Sequence, residues 1–121
     1  MKKKISPPEA GKSSDITLCM LSSGSKGNSI YISDGATSVL IDAGLSGIEI
    51  ERRMKSKGLS PEDLDAIVVS HEHADHIHGV GVLSRRFAVP VYISRKTYKA
   101  ASPFLGKIEE VITFECGFGF K

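Results

Sequence analysis

From residue 15 onward the chain alternates short apolar runs with amphipathic stretches that carry helix punctuation. "ITLCML" (16–21) reads as a short buried strand, and "SIYIS" (29–33) alternates apolar and polar residues as a half-buried strand does. Asp34-Gly35 then separates two β-rich runs, a hairpin signal, and "TSVLID" (37–42) is the returning strand. "SGIEIERRMKSKG" predicts a helix. Ser46 is its N-cap, Glu49 completes a capping box three residues on, and Gly58 ends it. Ile50 and Met54, with Ile48 nearby, form the apolar side, and Arg52, Arg53 and Lys57 point outward.

"SPEDLD" (60–65) predicts a short capped turn with Pro61 at its first helical position. "AIVVS" (66–70) is a continuous apolar run suited to the interior of a sheet. After it, Ile77, Val80, Leu83 and Phe87 recur at helical spacing. "VYIS" (91–94) is a further strand, "RKTYKAA" a helical turn, and "VITF" (111–114) a last strand. The order β-β-β-α-β-α-β-α-β predicts an α/β fold, a sheet backed by helices. Residues 1–14, with lysines, prolines and serines but no periodicity, read as a flexible leader, leaving 15–121 as the folded region.

Composition narrows the classes. At 121 residues the chain makes one domain at most, and 40% hydrophobic with 25% charged residues is ordinary for a globular protein. The formal charge of +2 resides in the leader, where Lys2, Lys3, Lys4 and Lys12 outweigh Glu9 and Asp15. The body is therefore neutral and carries no overall basic footprint for nucleic acid or membrane; nucleic-acid binding would need a local patch. "MKKK" is followed by a polar, proline-broken stretch rather than an apolar one, and no run approaches the roughly 20 apolar residues of a membrane span. "AGKSS" lacks both the earlier glycine and the preceding strand of a phosphate loop. Cys19 and Cys116 lie in apolar runs and read as free thiols. The expected location is the cytoplasm.

The chemistry is concentrated in "SHEHADHIHG" (70–79), which holds all four histidines of the chain, His71, His73, His76 and His78, together with Asp75. It follows a buried strand and precedes a helix, where α/β proteins commonly place their sites. Residues two apart on an extended segment share a side, so His71 and His73 can present two imidazoles to one metal ion. Asp75 and His76 project differently and suit a second cation. This donor set fits Zn²⁺, with Mn²⁺ or Fe²⁺ as competitors. Two such metals can hold a hydroxide between them and polarise a carbonyl or phosphoryl oxygen, which implies hydrolysis. His78 reads as a solvent-facing or supporting residue rather than a ligand, and Glu72 as a spacer.

"SHEHADH" closely resembles the metal-binding signature T/S-H-x-H-x-D-H of the metallo-β-lactamase superfamily, and "VLIDAG" (39–44) resembles an earlier motif of the same superfamily. "LSSGSKGNSIYI", "IDAGLSGIEIERRMKSKGL" and "HIHGVGVLSRRFAVPVY" are similar to the YycJ/WalJ-type bacterial branch, cytoplasmic hydrolases related to metal-dependent nucleases. The resemblance spans nearly all of residues 16–115. It implies a metallo-β-lactamase-like αβ/βα sandwich, of which this chain covers roughly the N-terminal αβ half. It implies His71 and His73 as ligands of a first metal, Asp75 and His76 of a second, and Asp75 as the catalytic residue that orients the attacking water. Asp42 would sit beneath the metal loop and steady it. The glycine-rich loop 22–28 has two readings: Ser23, Ser25, Lys26 and Asn28 offer donors to a substrate phosphate, or the loop merely joins two strands. Arg52-Arg53 and Arg85-Arg86 read as solvated helix faces.

The superfamily's two-metal site also needs a third and a fourth histidine and a bridging aspartate, all downstream of this region. No histidine follows His78 and no aspartate follows Asp75. The chain alone is therefore expected to bind metal weakly and to be inactive. Half a sandwich would leave an apolar sheet face bare, so self-association is expected. The function implied is phosphodiester hydrolysis by a metal-bound hydroxide. The alternatives are thioester or lactam hydrolysis on the same scaffold, or a truncated, non-catalytic metal-binding or interaction module.

Overall fold

A computed structural model describes residues 15–23, 27–70, 77–108 and 110–115. Among these, six strands form one sheet: β1 (Thr17–Ser22), β2 (Ser29–Ser33), β3 (Ser38–Ile41), β4 (Ala66–Val69), β5 (Val91–Ser94) and β6 (Val111–Phe114). Their order across the sheet is their order along the chain. β1, β2 and β3 pair antiparallel through hairpin-type connections, and β3 to β6 pair parallel. The parallel steps are bridged by helices α1 (Gly47–Ser56), α2 (Val80–Phe87) and α3 (Arg95–Leu105). Parallel crossovers are right-handed, and these all progress in one direction, so the three helices are delivered to the same face.

Burial records that one-sidedness. The row Cys19, Tyr31, Leu40, Ile67, Val91 and Val111 runs straight across all six strands. It joins Ile50 and Met54 of α1, Val80 and Leu83 of α2, and Ala101 and Leu105 of α3 in a single hydrophobic core. Leu40, Ile50, Met54, Ile67 and Leu83 are wholly buried, each contributing about 1.5–3 kcal/mol by transfer from water. The neighbouring row, Met20, Ile30, Ile41, Val68, Tyr92 and Ile112, points the other way. None of its members belongs to the core, and no described helix packs against it.

β1 corrects an expectation. Its sequence reads as buried, yet Leu18 and Met20 are 69% and 59% exposed, and only Leu21 is fully covered. β1 is an edge strand, and its continuous apolar run serves two faces, only one of which has helices on it. The helical turn expected at "RKTYKAA" is also longer, an eleven-residue helix capped by Ser94, whose hydroxyl accepts from Thr97 N at 3.1 Å. Pro103 lies in its last turn, where the loss of one N–H is tolerable.

Helix α1 follows its punctuation with one change. Ser46 Oγ accepts from Glu49 N at 3.2 Å. The carboxylate of Glu49 does not return to the Ser46 backbone to close a capping box; it takes hydrogen bonds from Arg52 at 2.8 Å and Arg53 at 3.0 Å. At the other end Leu59 N donates to Met54 O and Gly58 N to Lys55 O, a Schellman closure for which Gly58 adopts φ +76°. The hairpin at Asp34-Gly35 forms as expected, with Asp34 Oδ1 accepting from Ala36 N and Thr37 N.

Candidate functional site

The four parallel strands end at one edge of the sheet, and β1, two antiparallel steps from β3, ends there too. The connections after β1, β3 and β4 therefore meet at a single edge. These are the three segments that carry the candidate residues: 23–28, 42–46 and 70–79.

Asp42 links them. It is 5% exposed and sits at φ +64°, a left-handed conformation that aspartate tolerates better than most residues. Its backbone N–H still continues the sheet, donating to Val68 O at 2.8 Å, while the turn frees its side chain to face the end of β4. There Asp42 Oδ1 accepts from Ser70 N at 2.7 Å and Oδ2 accepts from Ser70 Oγ at 2.5 Å. Ser29 Oγ donates to Asp42 O at 2.8 Å, tying the start of β2 to the same residue. A buried carboxylate thus clamps the last residue before the histidine motif. On the far side of the motif, Ile77 returns to the core at 5% exposure.

Glycines let the loops approach. Gly79 N donates to Ala43 O at 2.6 Å, and a Cβ at position 79 would lie 2.5 Å from Leu45 O. Gly44 N donates to Asn28 O at 2.9 Å, and Gly27, at φ +134°, would bring a Cβ to 2.9 Å from the Gly44 carbonyl carbon. Ser22 Oγ donates to Gly27 O at 2.8 Å, closing the glycine-rich loop on itself. The β1–β2 loop is therefore stacked on the Asp42 turn, which is stacked on the approach to α2.

Of the residues singled out in the sequence, Asp42, Ser23 and Asn28 are brought to this edge; Ser23 is exposed and Asn28 half-buried. His71, His73, Asp75 and His76 lie outside the described residues, as do Ser25, Lys26 and Cys116 and the leader 1–14. His78 is exposed in the turn before α2. Among the described residues no three His, Cys, Asp or Glu side chains gather closely enough to hold a metal ion, so a metal role rests on 71–76. The donor chemistry of that segment, three imidazoles and a carboxylate between two anchored ends, fits a borderline divalent cation. Sequence reasoning missed Ser70, Gly27, Gly44 and Gly79. Ser70 occupies the hydroxyl position that opens the motif, which was the available signal.

The arginine pairs are not simply solvated faces. Arg53 donates to Leu21 O at 2.8 Å, binding α1 to β1, and Arg85 donates to Leu105 O and Lys107 O at the end of α3. Arg86 pairs with Glu51 at 3.4 Å. Only Arg52, linked to Glu49 and largely exposed, matches the expectation.

With this arrangement in place, the chain belongs to the metallo-beta-lactamase superfamily, whose model matches residues 23–114. It is 48% identical over 92 residues to exodeoxyribonuclease WalJ of Streptococcus pneumoniae serotype 2 (strain D39 / NCTC 7466), covering 74% of this chain and 34% of that protein. It is 44% identical over 89 residues to exodeoxyribonuclease YycJ of Bacillus anthracis, with the same coverage of 74% and 34%. Among solved structures, Rm3 metallo-beta-lactamase aligns with a TM-score of 0.69 at 26% identity, over 81% of this chain and 43% of that one. The chain thus spans about a third of the length of these curated relatives, and its sheet with one helical layer is the N-terminal αβ part of the family's fold. No helix among the described residues is long and apolar enough to cross a membrane.

Proposed function

We propose that this chain is the motif-bearing part of a metal-dependent hydrolase that cleaves phosphodiesters, with DNA as the substrate class. The observation that carries this reading is the 48% identity over 92 residues to an exodeoxyribonuclease. His71 and His73 hold one divalent cation, and Asp75 and His76 a second, Zn²⁺ in first preference with Mn²⁺ or Fe²⁺ as alternatives. Such ions, when bound, supply Lewis acidity toward a phosphoryl oxygen and toward water.

The chain's own residues do the positioning. Asp42 fixes Ser70 and so the point from which the histidines depart. Asp75 orients the attacking water. Ser23, Ser25, Lys26 and Asn28, on the loop stacked against the Asp42 turn, receive the substrate phosphate. A DNA-directed enzyme of this kind works in the cytoplasm, where the free thiol of Cys19 is stable. Since no histidine follows position 78, the 121-residue chain alone binds metal weakly and does not turn over.

A chimera tests the reading. Residues 15–115 are exchanged for the matching segment of the pneumococcal exodeoxyribonuclease, and degradation of linear DNA is followed with Mn²⁺ and with Zn²⁺. Retained nuclease activity that falls by about 10²-fold or more on His73→Ala, in line with loss of a catalytic metal ligand, is the expected result. A folded, metal-loaded chimera that leaves DNA intact, or that hydrolyses an acyl-glutathione thioester in preference, would sink it.

A further inference from the structure

We infer that the sheet face opposite the helices is a docking surface for a second copy of this chain. The face is formed by alternate residues of all six strands, and in the register of the sheet every strand position on it from β1 to β4 is apolar. Leu18 and Met20 are more than half exposed, and Ile32, Val39, Val68 and Ile112 are each part-exposed although they lie within the sheet. No strand residue on this face carries a charge. On the opposite face, the corresponding positions of the inner strands are buried beneath helices. A row that is equally apolar but left in water is what an unmet partner looks like.

The occupant follows from size, charge and shape. Six strands spaced about 4.8 Å apart, each about four residues of 3.3 Å, give a footprint on the order of 400 Å² per copy. Two such pleated surfaces facing each other, with side-chain relief added, reach the total of about 1,000 Å² that a specific interface requires. The face offers no charge for a charged partner to read, so its best complement is another apolar pleated sheet, and this chain supplies one. Two sheets stack about 10 Å apart with their strands about 30° from aligned, which preserves a two-fold axis through the middle of the face. The contact closes at two copies, with the helices outermost on both sides. The inference does not depend on the chemistry at the sheet edge.

Sedimentation of the 121-residue chain from 1 to 200 µM tests it. The expected species is a dimer of twice the 13.0 kDa chain mass, dissociating reversibly on dilution. Leu18→Lys with Met20→Lys places two charges at positions already in water, so it should spare the fold, read as an unchanged urea midpoint of the diluted monomer. It should weaken the dimer at least about tenfold, equivalent to about 1.4 kcal/mol. Ile48→Lys with Phe104→Lys, at positions 62% and 77% exposed on the helical layer, should leave association unchanged. A monomer throughout the range overturns the inference, as it would if the leader or residues 116–121 covered the face. Open-ended polymers, the signature of strand edges pairing, overturn it too, and so does dissociation by the helical-layer pair alone.

Discussion

Asp42 concentrates what this chain does at the scale of single residues. It is buried, left-handed, and committed with both carboxylate oxygens to Ser70. Asp42→Ala should destabilise by about 1–3 kcal/mol, because Ser70 loses an acceptor and alanine is poor at positive φ. Asp42→Asn, which keeps an acceptor and tolerates the conformation, should cost less; urea unfolding ranks the two, and equal losses would mean the carboxylate clamp is not what matters. Position 79 gives a second contrast. Gly79→Ala drives a methyl into Leu45 O and should cost more than about 2 kcal/mol, whereas Gly58→Ala, with open space around it, should cost only about 1 kcal/mol for its positive φ. Equal urea midpoints for the two variants would contradict the close packing of these loops. The histidine motif was legible in the sequence because metal ligands are rare residue types at fixed spacing. The close approach of Gly79 to Ala43 was not, since a glycine in a helix-like pattern looks the same whether its missing side chain is needed or incidental.

At the scale of elements, α1 shows how charge decides what a motif becomes. Glu49 matches a capping box, but two arginines one turn on outcompete the backbone N–H for its carboxylate. The hydrogen bond from Arg53 holds the Glu49 carboxyl below its ordinary value of 4.5, and the one from Lys55 does the same for Glu51. A carboxyl whose folded pKa is depressed adds stability that is present above its unfolded pKa and lost as pH falls through the folded one. The chain should therefore lose stability below about pH 4.5, and Glu49→Gln should flatten that acid limb while changing little at pH 7, measured as urea midpoints across pH 3–7. An unchanged acid limb would show that these pairs carry no pH dependence. Element order and most boundaries were readable from apolar periodicity and caps. What periodicity could not supply was context: β1 looks like an interior strand because "ITLCML" is apolar at every second position on both sides.

The molecule as a whole is a sheet with helices on one side. That follows from the sequential strand order, since crossovers of one hand progressing in one direction cannot reach the other face. If the bare face is closed by a second copy, the association should be hydrophobic in character. It should weaken on cooling from 25 to 5 °C and respond little to NaCl between 0.05 and 0.5 M. Strong salt dependence in sedimentation would point to a charged contact elsewhere.

The sequential strand order also bears on how the chain acquires its structure. Each strand lies beside the one made just before it, so no pairing waits for a distant part of the polypeptide. Such local wiring favours rapid collapse to the native sheet. The apolar face is then presented as soon as the sheet exists, before any encounter has covered it. Refolding should show a fast phase independent of concentration, in which the sheet and helices form, followed by a bimolecular phase whose rate rises with chain concentration. Between the two, a short-lived monomer carries a surface as sticky as an opened core, and yield on refolding becomes a race between the correct pairing and every other one.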